Sequence, residues 1–237
     1  MPFNYSAVWR PGTGAQFWRV GLSADEFKKE DKKFFDQGLR LIVLRTGWNY
    51  SGVWRPGTGA QWWVSEASPD EFKQKDQAHF DQGLRLVSMH IEEDEYAGVW
   101  RPGTGAQKWK TGLSFDEFKA EDSKYFDQGL RLVTMMRGYT DDYNKFMGVW
   151  RSGTGAQRWW TGKGSDFEEF KKNDLAFFEQ GLRLIAFPPY GLSAIWRPGQ
   201  GEQHVRHTVS LDEMKQTDQE FFARGLRLVD LGVGDSG

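Results

Sequence analysis

The chain contains no cysteine, which excludes disulfides, thiolate metal sites and a cysteine nucleophile. It has only four histidines, His79, His90, His204 and His207, and none recurs at a repeated position. His204 and His207 are three residues apart but have no third ligand of the usual kind nearby, which argues against a metal site. There is no Gly-x-Ser-x-Gly elbow, no phosphate-binding glycine loop followed by Lys-Ser/Thr, and no Ser-x-x-Lys pair. The Gly-x-Gly turns are too short for a dinucleotide fingerprint. The expectation is a non-enzymatic protein without metal or cofactor. No apolar run approaches the roughly 20 residues needed to cross a bilayer, and Met-Pro-Phe-Asn-Tyr at the start lacks the regions of a signal peptide. A soluble chain is expected, with the compartment open between cytoplasm and export. Excess charge is missing too: 31 Lys plus Arg face 33 Asp plus Glu, a net charge of -2 that disfavours general binding to nucleic acid or an anionic membrane.

What the chain does have is 38% hydrophobic and 16% aromatic residues, enough to build a packed core rather than a disordered chain. It also has an internal repeat. Trp-Arg-Pro-Gly-Thr-Gly-Ala-Gln starts at Trp9, Trp54 and Trp100, with a Ser-for-Pro version at Trp150 and a Gly-Gln-Gly-Glu version at Trp196. Each is followed by an acidic segment and then Gly-Leu-Arg-Leu, at Gly38, Gly83, Gly129, Gly181 and Gly225. This gives one repeat domain of copies spanning approximately 1–46, 47–91, 92–137, 138–188 and 189–237.

Every copy carries the same helix signals. Ser23 and Glu26, Ser68 and Glu71, Ser114 and Glu117, Ser165 and Glu168, and Ser210 and Glu213 have capping-box spacing, and the glycine of Gly-Leu-Arg-Leu falls where a left-handed C-cap belongs. Phe27, Phe34 and Phe35, with their counterparts, predict one apolar stripe. The Leu-Ile-Val run after the cap predicts a strand, and Pro-Gly-Thr-Gly predicts a hairpin joining the strands on either side of it. The unit is therefore ββαβ and the class α+β. One unit cannot bury both its sheet and its helix, so the copies must associate. A closed pseudo-five-fold α/β propeller, reminiscent of the pentein group, is the expected architecture, with an open solenoid of the same units as the alternative.

Positions fixed in all copies serve a demand made by each unit. The turn glycines are explained by backbone conformation alone. Asp31, Asp76, Asp122, Asp174 and Asp218 lie on or beside the buried stripe, so each is expected to pair with a fixed arginine, from the row Arg40, Arg85, Arg131, Arg183 and Arg227 or the row at Arg10. Trp9, Trp54, Trp100, Trp150 and Trp196 flank the turns, and core packing is the favoured reading for tryptophan there. A ligand-binding set is nonetheless expected from the second tryptophans Trp18, Trp63, Trp109 and Trp159, replaced by Val205 in the fifth copy, with Arg10, Arg55, Arg101 and Arg151 and with Gln16, Gln61, Gln107 and Gln157. Aromatic rings beside planar polar donors suit a saccharide, whose apolar face stacks while its hydroxyls are hydrogen-bonded.

At Trp-Arg-Pro-Gly-Thr-Gly-Ala-Gln, Asp-Glu-Phe-Lys and Phe-Asp-Gln-Gly-Leu-Arg-Leu the chain resembles the bacterial tandem-repeat family also described as the polyglycine hydrolase-like structural repeat. The resemblance implies an accessory repeat region, in some members joined to a serine-hydrolase domain resembling β-lactamases, and no such catalytic domain is present here. The leading expectation is a multivalent, lectin-like binder of a glycan or extended polymer, gaining avidity from weak repeated sites. The alternative is a structural or protein-interaction scaffold, such as the accessory repeat region of a secreted hydrolase, contacting partners through the variable linkers at 46–49, 91–95, 137–145 and 187–192. A monomer is expected, with strand exchange between similar copies as a route to dimers.

Overall fold

The structure, a computed structural model, describes residues 3–138, 144–162, 166–187 and 193–235. Each copy runs strand, strand, helix, strand. The first holds β1 (Phe3–Pro11), β2 (Phe17–Leu22), α1 (Ala24–Asp36) and β3 (Leu39–Arg45); the second β4 (Tyr50–Pro56), β5 (Trp62–Ala67), α2 (Pro69–Asp81) and β6 (Leu84–Glu92). The third holds β7 (Glu95–Pro102), β8 (Gln107–Leu113), α3 (Phe115–Asp127) and β9 (Leu130–Arg137). The fourth holds β10 (Phe146–Ser152), β11 (Arg158–Thr161), α4 (Phe167–Glu179) and β12 (Leu182–Ala186); the fifth β13 (Ser193–Pro198), β14 (His204–Val209), α5 (Leu211–Ala223) and β15 (Leu226–Asp235). Among the described residues they make a mixed α/β chain with five three-stranded sheets and five helices. Among the described residues no helix is long and apolar enough to cross a membrane.

The chain divides into two compact units, residues 14–107 and residues 1–13 with 108–237. The first contains the sheets β2-β4-β3 and β5-β7-β6; the second contains β8-β10-β9, β11-β13-β12 and β14-β1-β15. The middle strand comes from the copy after the one that supplies the two edges, except in the last sheet, where the edges of the fifth copy flank β1 of the first. The expected hairpin across Pro-Gly-Thr-Gly is therefore absent: β4 lies between β2 and β3, whereas β5 pairs with β7. A Pro-Gly signature fixes local dihedrals and not the partner of the outgoing strand. Burial decides that partner, because the first strand of each copy carries a fully buried Val-Trp or Ile-Trp pair, such as Val53 and Trp54, which needs cover from both sides. The second glycine of the turn does take positive φ, 77° at Gly59, and its backbone lies so close to Pro102 that a Cβ would sit 2.8 Å from the ring.

In the second unit the first strand of the chain sits between the last two, with Phe3 opposite Asp235 and Trp9 opposite His204. A circular permutant that joins Gly237 to Met1 and opens between Thr13 and Gly14 is thus expected to keep its unfolding free energy within about 1 kcal/mol of the parent. Chemical denaturation measures this, and loss of a cooperative transition would contradict the placement of β1.

The helices begin and end as their caps dictate. Both halves of the capping box form at Ser23, Ser68, Ser114 and Ser210, where the serine backbone N–H is the main cause holding the glutamate carboxyl below its ordinary range. Ser165 lies outside the described residues, and α4 follows Asp166 without a side-chain cap. Each helix stops at a glycine with φ of 76–82°, Gly38 through Gly225. Phe27 and Phe34 are buried against Trp54 and Leu41 in the 14–107 unit, and Phe118 and Tyr125 against Trp150 and Leu132 in the other. Phe35 departs from the expected stripe. It is half-exposed, with the Arg40 guanidinium 3.6 Å from its ring centroid, and Phe80, Phe126, Phe178 and Phe222 repeat this with Arg85, Arg131, Arg183 and Arg227.

Candidate functional site

The repeated polar residues converge on the helix aspartate. In the 14–107 unit Asp31 projects from α1 toward β4 and β5 and accepts three hydrogen bonds: from Trp54 Nε1 and Gln61 Nε2 at Oδ1, and from Trp63 Nε1 at Oδ2, each at 2.8 Å. Asp122 in the other unit accepts the same set from Trp150, Gln157 and Trp159, at 2.8, 2.8 and 2.7 Å. Trp100 and Gln107 donate to Asp76, Trp196 and Gln203 to Asp174, and Trp9 to Asp218. The glutamine has a second task, its Oε1 accepting the backbone N–H of Leu41, Leu86, Leu132 or Leu184. The network thus ties helix, third strand and the following copy together around one buried carboxylate.

The expected ion pair between these aspartates and a fixed arginine does not form where the partners are seen; indole and amide N–H groups take the arginine's place. Arg40 donates instead to backbone carbonyls, from Nε to Gly59 and from Nη1 to Phe35 and Leu39. Arg85, Arg131 and Arg183 repeat the pattern. The cation at the helix C-terminus meets free carbonyls and the negative end of the dipole, which stabilises it without a carboxylate.

Among the residues expected to bind ligand, Trp63 and Trp159 spend their N–H groups on Asp31 and Asp122 and stand edge-on to Phe27 and Phe118, at 5.1 and 5.0 Å. Trp18 and Trp109 occupy the same place on β2 and β8 and are likewise half-buried. Gln107 and Gln157 are buried; Gln16 and Gln61 are half-buried. Arg10, Arg55, Arg101 and Arg151 are not brought together with these groups. Each directly follows its tryptophan in a strand, so it points to the opposite face of the sheet. The structure therefore assembles tryptophan with glutamine and aspartate, and sets the arginines apart.

In the fifth copy Val205 stands where the second tryptophan would reach Asp174. Burial pushes the Asp174 carboxyl up, against the lowering effects of Trp196, Gln203 and Arg183. A raised folded pKa means that the cost of the charged form is present above that pKa and is relieved as pH falls toward 3.8. Val205→Trp supplies the missing donor and is expected to lower this pKa and add about 1.5–3 kcal/mol at neutral pH. Carboxyl titration by NMR with denaturant unfolding checks both.

Two polar clusters gave no motif in the sequence. In the 14–107 unit His90 is 2% exposed; its Nδ1 meets the Thr46 N–H at 3.3 Å, while its Nε2 is buried and has no hydrogen-bond partner. Burial, then the neighbouring Arg45 charge, holds its pKa down to about 3. In the other unit the Ser6 hydroxyl meets His207 Nδ1 at 3.0 Å, with His207 stacked on Phe167. The available signal was the polar residue that follows Leu-Arg-Leu-Val in an otherwise apolar strand: Ser88, Thr134 and Asp230 are all buried. Among the described residues no group of three or more His, Asp or Glu is placed to hold a metal ion.

Residues 13–56 and 106–152 match the family model described as polyglycine hydrolase-like, structural repeat. No curated protein matches the chain. The first match covers β2, α1, β3 and β4, and the second β8, α3, β9 and β10, so each spans one complete sheet with its helix. Residues 13–56 and 106–152 are thus similar to the polyglycine hydrolase-like structural repeat, as their motifs lead one to expect.

Proposed function

We propose that this chain is a non-catalytic repeat scaffold that contacts its partner through the tips of the hairpins linking one copy to the next. The observation that carries this reading is the saturation of the repeated motif: tryptophan, glutamine and aspartate spend their hydrogen bonds on one another. What varies between copies is the connection from third strand to next first strand, and its first example presents Trp48 at 85% exposure. The Ser6–His207 contact does not supply a nucleophile, because Ser6 is 3% exposed and closed to substrate. Closure of the five units into a ring belongs to the same proposal, supported by the first strand lying inside the last sheet. A closed ring of this length predicts a radius of gyration of about 18 Å by solution scattering, against a larger value for an open array.

A lectin-like, multivalent reading keeps one observation in its favour, the half-exposed rings of Trp18, Trp63, Trp109 and Trp159. A broad glycan array separates the two. The scaffold reading predicts no saturable binding by the folded chain. Saturable binding that disappears in a folded Trp63→Phe, Trp159→Phe chain would install the lectin-like reading in its place.

A further inference from the structure

Arginines recur on the sheet faces opposite the tryptophans, where they lie against one another. In the unit of residues 1–13 with 108–237, Arg197 lies directly across from Arg183, Arg151 from Arg131, and Arg10 from Arg227. Like charges directly opposite one another destabilise a strand pair. Arg197 also reaches toward the neighbouring sheet, where Nη2 donates to the Thr154 carbonyl at 2.9 Å, and Arg131 is the arginine it meets there. Arg10 does the same toward Arg183. The Nε atoms of Arg10 and Arg197 are buried without a hydrogen-bond partner. Among the described residues no ion pair links Arg10, Arg131, Arg183 or Arg197 to a carboxylate, although the helices carry many. The 14–107 unit repeats the arrangement: Arg101 lies across from Arg85, extends toward Arg40, and has a buried Nε without a partner.

The first glycine of each turn makes room for this row. It is absent from the positive-φ positions, so backbone conformation does not explain it, contrary to the expectation from sequence. A Cβ on Gly199 would lie 2.4 Å from Arg10 Nη2, and one on Gly57 2.6 Å from Arg101 Nη2. The repeat thus keeps the guanidinium close to its like-charged neighbour in copy after copy. Burial and the neighbouring arginine both push the Arg10, Arg101 and Arg197 pKa values down, as expected where positive charges crowd one another.

We propose that this arginine row binds a small polyvalent oxyanion, a compound carrying several phosphate or sulfate groups. Guanidinium forks match tetrahedral oxyanions, and a ligand with more than one such group bridges adjacent arginines and cancels their repulsion. The net charge of -2 hides this feature, since the compensating carboxylates lie on the helices. The site is separate from the hairpin tips of the proposed scaffold and stands without them.

The test is calorimetric titration of the full chain at low ionic strength with tripolyphosphate and, separately, with a sulfated disaccharide, repeated on Arg10→Gln, Arg101→Gln and Arg197→Gln chains. Saturable binding is expected for at least one probe, weakened at least 10-fold in the Arg197→Gln chain and unchanged in a Lys171→Gln control. The tighter probe assigns the source of the oxyanion. Absence of saturable binding to either probe overturns the proposal, as does binding that survives all three arginine substitutions. If a glutamine chain does not fold, Arg197→Lys replaces it, keeping the charge and removing the fork; an unchanged affinity there also counts against the site.

Discussion

Replacing Asp31 by alanine is expected to cost the fold about 3–5 kcal/mol, among the largest effects of any single substitution in the chain. The carboxylate is 8% exposed and is the common acceptor of Trp54, Gln61 and Trp63. Removing it leaves three N–H donors with no acceptor, each worth about 1–3 kcal/mol, and water entering the vacated space recovers part of the sum. Asp31→Asn costs less but is still destabilising, because an amide oxygen can take at most part of the set and its own NH₂ then faces other donors. Denaturant unfolding of the two variants measures the difference. Near-parent stability of the alanine chain would mean that the indoles and the glutamine find other partners, and the hub would not be what joins one copy to the next.

Stability is expected to fall as pH drops from about 6.5 toward 3, at up to about 1.4 kcal/mol per pH unit, through His90 alone. The sign follows from a depressed histidine pKa: the unfolded chain takes up the proton below 6.5, whereas the folded chain, with the ring buried beside Arg45, takes it up only near 3. The contribution is fully present above 6.5 and is lost progressively below it. Met136 occupies the equivalent position on β9 and is buried there too. His90→Met therefore offers a residue that the fold already accepts at this place. Its unfolding free energy should show a flatter dependence on pH over that window than the parent. Equal slopes in the two chains would show that His90 is not buried as described.

The ends of the helices were legible in the sequence because caps are local: Ser23 with Glu26 and Gly38 act within a few residues of themselves. The partners of the strands were not, because Pro-Gly-Thr-Gly describes only the turn, and pairing is settled by which strand needs cover on both sides. The spacing of the aspartate shows its place at the edge of the buried stripe, but not which partner it takes. Charge balance suggested arginine, whereas the helix C-terminal carbonyls claim Arg40 and leave Asp31 to the N–H donors. The separation of Arg10 from Trp9 follows from strand alternation alone. Phe35 is adjacent to Phe34 and so points away from the stripe, which the aromatic pattern concealed.

The most direct measurement is denaturant unfolding of the Trp63→Phe and Trp159→Phe chains beside the parent. Phenylalanine keeps an aromatic ring and removes the indole N–H that each hub uses. If the repeated residues build the fold, each substitution costs about 1.5–3 kcal/mol, and the double substitution costs close to the sum, because the two hubs lie in separate units. Unchanged stability in both chains would contradict the account, and would leave those indoles free for a ligand.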